Sequence, residues 1–339
     1  MAEQMTRVGF ATGYDARASV TDMAAWMKRA DEQGYEIGFF SETVELMRDS
    51  VTALTAFIQS TTRMNIGCTQ IVRLRTPIIM AQTAASLDEL SGGRLILSPG
   101  ACTNTHAKRH GLPPGDSPAA LEDWVTAMRE IITGAKVDFR GKTIEFDDCK
   151  LGWTPVREKI PMWIPATSAT GLKIAGRIGD GVLLNAVCSP EYTVNALRIV
   201  RKAAADAGRS WDDFQVAQLV VCSVEDSHEA AVEAVRWEVA SKLDPFQLPF
   251  IAAPKMRVGE PYIHAEDLPT FEEAYRLGGK ERLVKAVPDS YVEGMTASGT
   301  PDQVIARVQQ FRDAGVDLPI LRPAAAHQAE RLMDLFAPA

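Results

Sequence analysis

The chain alternates short apolar runs rich in β-branched and aromatic residues with longer stretches whose apolar residues recur every three or four positions. The first pattern predicts buried β-strands and the second predicts amphipathic α-helices. Eight apolar runs occur, at 7–12, 35–42, 63–72, 95–100, 161–166, 180–185, 214–224 and 316–323. Because strands separated by helices pair in parallel through right-handed crossovers, the chain is predicted to be an α/β protein.

The intervening helices carry recognisable start and stop signals. One is predicted from Val20 to Gln33, and another begins at Pro77, whose missing N–H costs nothing in a first helical turn, and ends before Gly92. A helix is also predicted to end at Ser60 and another to follow Ser227. The remaining predicted helices cover 119–132, 168–179, 191–207 and 301–314.

Eight strand–helix units in about 250 residues fit a closed (β/α)8 TIM barrel. A doubly wound sheet is the alternative, but Gly9 and Gly13 do not form its G-x-G-x-x-G fingerprint. Residues 136–146 predict a β-hairpin inserted after the fourth main helix. The proline-rich residues 244–290 predict an insertion of loops and short helices after the seventh strand. We expect one domain over residues 1–339.

Composition limits the classes of function. With 46% hydrophobic and 24% charged residues the chain is globular, and its formal charge of −8 gives no general attraction to nucleic acid or anionic membrane. The N-terminus has no secretory pattern, and no run approaches the roughly 18 apolar residues of a membrane span. The cysteines form no Cys-x-x-Cys pair, which predicts free thiols in a cytoplasmic protein.

The carboxyl ends of the strands should hold the functional groups, as they do in TIM barrels. These ends carry mostly small, neutral residues, with no carboxylate pair and no Ser-His-Asp set. Such a lining suits a flat organic cofactor that supplies its own chemistry. Glu42 is the candidate for proton transfer, and a purely structural carboxylate is the alternative reading of it.

Two segments could bind an anion. ATSATG, residues 166–171, joins a strand to a helix start, where free N–H groups face outward and Ser168 and Thr170 add hydroxyls. An ordinary capped helix is the alternative. In the segment 98–111, Lys108 and Arg109 could meet an anionic tail. Cys102, His106 and His110 in that segment are spaced like metal ligands, but no fourth ligand supports zinc, so no metal is predicted.

Three stretches, RTPIIMAQTAASLDELSGGRLILSPG, AGRIGDGVLLNA and SGTPDQVIARVQQFRDAGVD, resemble the bacterial luciferase-like superfamily of flavin- and deazaflavin-dependent oxidoreductases. Within it, the chain resembles the methylene-tetrahydromethanopterin reductase branch. The likeness covers most of residues 5–240 and 295–322. It implies a (β/α)8 barrel, usually dimeric, with FMN or coenzyme F-420 at the carboxyl-end face.

The resemblance also implies the positions of the cofactor contacts. The bulge that backs the cofactor ring falls at Cys68 and Thr69, and a non-prolyl cis peptide is expected between them. A glycine-rich turn follows the fourth strand, and a phosphate-binding turn follows the fifth. The predicted site consists of Glu42 as the catalytic candidate and, for cofactor binding, Thr12, Cys68, Thr69, Gly100, Ala101, Cys102, Thr167, Ser168, Ala169, Thr170 and Asn185.

The chain departs from the family pattern at three places. The family's frequent acidic residue followed by histidine is Glu42-Thr43 here, the second glycine of the turn is Cys102, and the phosphate turn lacks its common lysine. The main hypothesis is hydride transfer between coenzyme F-420 and a small organic substrate. The alternatives are an FMN-dependent monooxygenase supplied by a partner flavin reductase, and a non-catalytic ligand-binding barrel.

Overall fold

A computed structural model describes residues 7–13, 15–44, 47–244, 263–264 and 266–338 of the chain. Its strands are β1 (Gly9–Thr12), β2 (Ile37–Phe40), β3 (Asn65–Ile71), β4 (Leu95–Gly100), β5 (Val137–Arg140), β6 (Glu145–Cys149), β7 (Trp163–Ala166), β8 (Gly181–Leu184), β9 (Gln215–Val224), β10 (Ala297–Gly299) and β11 (Leu318–Pro323).

The helices surround these strands. They are α1 (Val20–Glu32), α2 (Ser50–Ser60), α3 (Pro77–Ser91), α4 (Asn104–Arg109), α5 (Ser117–Ile132), α6 (Ala169–Ile178), α7 (Pro190–Asp206), α8 (His228–Lys242), α9 (Leu268–Ala286), α10 (Asp289–Met295), α11 (Pro301–Asp313) and α12 (Ala329–Phe336).

Eight parallel strands form the barrel, in the order β4-β3-β2-β1-β11-β9-β8-β7. The two end strands meet where the N–H of Leu97 donates to the carbonyl of Pro161 at 3.0 Å. Beside this bond, the hydroxyl of Ser98 donates to the carbonyl of Trp163 at 2.6 Å. The ring is therefore nearly closed, and the TIM-barrel prediction is confirmed. The short β10 pairs with β9 outside this order.

Helix boundaries follow the predicted signals closely. Thr76 caps α3 by accepting the N–H of Ile79, Pro77 is its first residue, and Gly92 ends it at φ 67°. A left-handed residue after a helix favours glycine because no Cβ meets the backbone. The same start signal, a capping threonine followed by a proline, occurs at Thr300 and Pro301, where α11 begins.

The core lies inside the ring and between the ring and its helices, since β1 and β2 are buried at every position. Gly67 of β3 shows how tightly the interior is filled, because a Cβ there would lie 2.6 Å from the ring of Phe39. The predicted hairpin is present as the antiparallel pair β5–β6. It stands outside the barrel sheet.

Three elements were not predicted: α4, β10 and α12. Each is short, with six, three and eight residues, so hydrophobic periodicity has too few turns or alternations to mark it. In the insertion, α9 is interrupted at Gly278 and Gly279, whose dihedral angles leave the helical region. Residues 245–262 and 265 of the insertion lie outside the described residues.

Candidate active site at the carboxyl ends of the strands

A cavity of about 740 Å³ lies at the carboxyl ends of the barrel strands. Residues that follow β2, β3, β4, β7 and β8 line it together with side chains of α4, α5, α6 and α8. Its size and place are typical of ligand sites in TIM barrels. A larger groove of about 1000 Å³ along α9 is open to solvent and lies away from these strand ends.

Most of the predicted site residues meet in this cavity. Those that line it are Glu42, Thr69, Gly100, Ala101, Thr167, Ser168, Thr170 and Asn185. Arg109 also lines it, whereas Lys108 does not belong to its lining.

Four predicted residues lie elsewhere. Thr12 is buried beside a separate void of about 20 Å³ near Arg322. Cys68 is fully buried, and its thiol lies 3.0 Å from the carbonyl oxygen of Thr69. Cys102 is also fully buried, and Ala169 is the first residue of α6. Because neighbouring strand residues point to opposite faces, the side chains of Cys68 and Thr69 cannot both face the ligand.

The predicted cis peptide between Cys68 and Thr69 is wrong, since the described residues contain no cis peptide bond. β3 keeps its parallel register with β4 here, pairing Cys68 with Leu97 and Thr69 with Ser98. A non-prolyl cis bond costs about 3–4 kcal/mol, and an uninterrupted ladder offers nothing that would offset it.

The turn between β7 and α6 is a capped helix start that lines the cavity. The hydroxyl of Ser168 caps α6 by accepting the N–H of Gly171 at 3.2 Å. The carbonyl of Thr167 accepts the hydroxyl of Tyr192 at 2.6 Å, which fixes the loop from behind. The first amides of a helix have no intrahelical acceptor and carry the positive end of its dipole, so this lip of the cavity favours a negative charge.

Glu42 is held by donors of the protein itself. Its Oε1 accepts the hydroxyl of Ser50 at 2.7 Å and pairs with the guanidinium of Arg75 at 2.5 Å. Its Oε2 accepts the N–H of Ile71 at 2.9 Å, and its side chain is only 5% exposed. With both oxygens engaged, Glu42 acts in this geometry as a structural link between the ends of β2 and β3.

Arg75 extends this link across the loop after β3. Its guanidinium lies 3.1 Å from Oε1 of Gln70 and 3.0 Å from a carboxylate oxygen of Asp49. Its carbonyl accepts the indole N–H of Trp124 at 3.0 Å. The cluster therefore joins two strand ends to α2 and α5. Burial raises the pKa of the nearby Cys68 thiol, and the charge of Glu42 raises it further.

The most polar part of the lining comes from His106 and Arg109 of α4 and from His110, which follows the helix. Oγ1 of Thr103 lies 3.3 Å from both the backbone nitrogen and Nδ1 of His106. Burial lowers the pKa of His106, and the neighbouring charges of His110 and Arg109 lower it further. Near neutral pH this imidazole is therefore largely uncharged.

Sequence reasoning missed Lys242, the last residue of α8, whose side chain lines the cavity. A lysine in the last turn of a helix is ordinary because it complements the helix dipole, so no local signal distinguished this one. Burial lowers the pKa of the Lys242 ammonium.

Among the described residues, no group of three or more His, Cys, Asp or Glu side chains is arranged to hold a metal ion, and Cys102, His106 and His110 do not form one. Within the same part of the chain, no helix is both long and apolar enough to cross a membrane.

Comparisons with known proteins agree with this geometry. The luciferase-like monooxygenase family profile matches residues 5–318. The 5,10-methylenetetrahydromethanopterin reductase of Methanopyrus kandleri is 27% identical over 332 residues, which cover 93% of this chain and 92% of the relative. An F-420-dependent glucose-6-phosphate dehydrogenase of Amycolatopsis mediterranei is 24% identical over 343 residues, which cover 96% of each chain.

A solved structure shares the fold over nearly the whole chain. The coenzyme F-420-dependent tetrahydromethanopterin reductase from Methanopyrus kandleri superposes with a TM-score of 0.82 at 23% sequence identity. The superposition covers 98% of this chain and 97% of the other.

Proposed function

Because this chain belongs to the luciferase-like monooxygenase family, we propose that it transfers hydride between coenzyme F-420 and a small organic substrate. An F-420- or FMN-dependent oxidoreductase activity follows from its relatives, which are reductases and dehydrogenases. The choice of F-420 rests on the uncharged ends of β3 and β4 in the cavity and on the helix start at 167–170, in a chain whose relatives include F-420-dependent enzymes.

The residues present fit such a cofactor. A cavity of about 740 Å³ lies within the range of sites that hold ligands of this size. Its floor of Thr69, Gly100 and Ala101 is small and uncharged, which suits a flat ring. The capped start of α6, at Ser168 and Thr170, suits a phosphate.

When bound, coenzyme F-420 would donate or accept the hydride. The protein's part is to hold the phosphate at the turn 167–170, to keep the ring against the ends of β3 and β4, and to exclude water from the reacting face. The five strand ends and α4 that line the cavity can do this without a proton-transfer group of their own.

We propose that Glu42 is a positioning residue rather than a catalytic one. It was the catalytic candidate of the sequence, but its oxygens bind Ser50, Arg75 and the N–H of Ile71. Its carboxylate therefore fixes the loop after β3 from within the cavity lining, through Arg75 and the N–H of Ile71. Its backbone N–H separately donates to Oγ1 of Thr69 at 2.6 Å, which ties the end of β2 to another lining residue.

The substrate is proposed to be a small molecule with an electrophilic carbon, such as a carbonyl or an imine, since hydride needs such an acceptor. We expect the insertion 244–290 to shape its pocket, as long loops on barrels do. Phe246, Phe250 and Tyr262 of that insertion, which suggest an apolar ligand, lie outside the described residues.

We further propose a homodimer that forms through α2 and α3. The helix α2 has no charged residue, and Ile78, Ile79 and Leu90 of α3 are exposed. In a chain with 24% charged residues, exposed isoleucines on α3 beside an uncharged α2 favour self-association. Sedimentation should give twice the chain mass, and Ile79→Glu should give the monomer. A monomeric wild-type protein would contradict this proposal.

A cytoplasmic location is proposed from the cysteines. All five are free thiols in the structure, as expected of a protein in a reducing compartment.

The function is tested by titrating the purified apoprotein with coenzyme F-420 and separately with FMN, following fluorescence. We expect micromolar affinity for F-420 and much weaker binding of FMN. The reverse preference would replace the proposal with an FMN enzyme that depends on a flavin reductase, and oxygen consumption would then be measured. If neither cofactor binds to the folded protein, a non-catalytic barrel would be the better reading.

A further inference from the structure

Lys242 lies in a part of the cavity for which the proposed cofactor contacts leave no role. It is the last residue of α8, the helix that follows β9. Around the barrel, β7 and β8 lie between β4 and β9. The phosphate turn follows β7, and Asn185 follows β8 between that turn and Lys242. Lys242 therefore reaches the cavity from a different strand–helix unit than the phosphate turn and α4.

The ammonium of Lys242 makes no ion pair and no side-chain hydrogen bond within the described part of the chain. Two titratable groups act on it electrostatically, the Cys188 thiol and the carboxylate of Asp244, two residues further along the chain. Burial raises the pKa of Cys188 to about 12, so this neighbour is a neutral thiol at physiological pH.

The described lining of the cavity has few anionic groups. The chain carries a formal charge of −8, but among the described lining residues Glu42 is the one carboxylate, and it pairs with Arg75. Lys242 therefore faces a cavity whose described carboxylate is already engaged. A half-buried ammonium that makes no ion pair is poorly solvated, and an anionic ligand would compensate for the lost hydration.

We propose that Lys242 binds an anionic group, a carboxylate or a phosphate, on the substrate. The inference rests on the proposed function, because it assigns the turn at 167–170 to the cofactor phosphate and leaves Lys242 for the second ligand. The substrate is then an organic anion whose charged end lies toward β9 and whose reacting carbon faces the cofactor ring. Lys242 determines specificity and takes no part in the hydride transfer.

The test compares wild type with Lys242→Met, Lys242→Arg and Lys28→Met. The last is the matched control, because it removes the same charge from a side chain on α1 that is 64% exposed. Each protein is saturated with coenzyme F-420 and titrated with inorganic phosphate or acetate at constant ionic strength, and the thermal unfolding midpoint is followed. F-420 affinity is measured for each in parallel.

We expect at least one of the two anions to raise the midpoint of wild type, Lys28→Met and Lys242→Arg. Lys242→Met should need about tenfold more of the anion for the same shift, or show none, while its F-420 affinity stays within about twofold of wild type. The anion that acts identifies the substrate's charged group as phosphate or carboxylate.

The inference would be overturned by equal anion responses in all four proteins or by no response in wild type. A tenfold loss of F-420 affinity in Lys242→Met would also overturn it, because the lysine would then belong to the cofactor site. If Lys242→Met does not fold, Lys242→Gln replaces it under the same criteria. If F-420 binds to none of the proteins, the proposed function fails, and the anion titration of the unloaded proteins still decides whether Lys242 binds an anion.

Discussion

The two sides of the cavity differ in how their charges are compensated. On the β2–β3 side, Glu42 pairs with Arg75, and Arg75 also contacts Gln70 and Asp49. On the β8–β9 side, Lys242 makes no ion pair with a described residue, and the nearest carboxylate that acts on it, Asp244, does so only through its charge. Paired charges at a strand end hold the scaffold, whereas a desolvated charge without a partner is available for a ligand. The comparison separates residues that build the site from those that recognise its contents.

Removing the carboxylate charge on the paired side should have the largest effect. Glu42→Gln breaks a pair with a 5% exposed carboxylate side chain, and we expect the free energy of unfolding to fall by about 3 kcal/mol. This value is at the lower end of the range for breaking a buried ion pair, because Arg75 still pairs with Asp49 in the variant. Chemical denaturation measures it.

The control for this variant is Glu36→Gln, which breaks a more exposed pair with Arg7 and should cost less than about 1 kcal/mol. Equal losses for the two variants would mean that the pair at Glu42 is not a scaffold element.

On the other side, the backbone at Val187 offers a second contrast. Val187 has φ 58°, which is unfavourable for a β-branched residue, although its side chain is buried. Val182→Gly, in β8, should destabilise by about 3 kcal/mol through the lost packing and the flexibility of glycine. Val187→Gly should cost about 2 kcal/mol less, since glycine accepts this conformation. Denaturation midpoints that match for the two variants would argue against strain at this loop.

The anion-binding lip can be tested with two helix caps. Ser168→Ala removes the cap of α6 and Ser227→Ala removes the equivalent cap of α8. Each should lower the free energy of unfolding by about 1 kcal/mol. Only Ser168→Ala should also weaken F-420 binding, by several-fold. If both caps affect stability alike and neither affects F-420, the turn at 167–170 does not hold the phosphate.

The smallest effect concerns pH. Burial lowers the folded-state pKa of Lys242 below that of an unfolded lysine, about 10.4, so the folded protein releases this proton first. The cost of burying the charged ammonium is therefore fully present only below the folded-state pKa. As the pH rises through that pKa, the ammonium loses its proton and the free energy of unfolding increases. Lys242→Met removes the penalty, so its advantage over wild type should be greatest at neutral pH and should shrink toward pH 10. A constant difference between pH 7 and pH 10 would contradict a desolvated ammonium.

Much of this architecture could be predicted from local patterns. The caps and prolines of α3 and α11 and the alternation of β5–β6 depend on residues a few positions apart, so the sequence carried them directly. The family resemblance correctly led to the barrel but also to a cis peptide at Cys68 that the regular β3–β4 register does not contain. A bulge depends on how the neighbouring strand pairs, which a single strand's residues do not reveal.

The roles of charged residues were harder to predict than their positions. Glu42 was correctly placed at the end of a strand, but its partner Arg75 comes 33 residues later, and Ser50 and the N–H of Ile71 come from other elements. A carboxylate with such partners differs in function from a solvated one. Nothing in the residues next to Glu42 indicates which of the two it is.

The sequence by itself determined the succession of strands and helices and the face of the barrel that holds the site, because periodicity, caps and parallel crossovers follow from short-range sterics and hydrogen bonding. Only the tertiary structure decided that Arg75 pairs with Glu42. It alone also decided that Lys242 lines the cavity and makes no ion pair with a described residue. Electrostatic pairing depends on distances of a few ångströms between atoms far apart in the chain, and folding alone sets those distances.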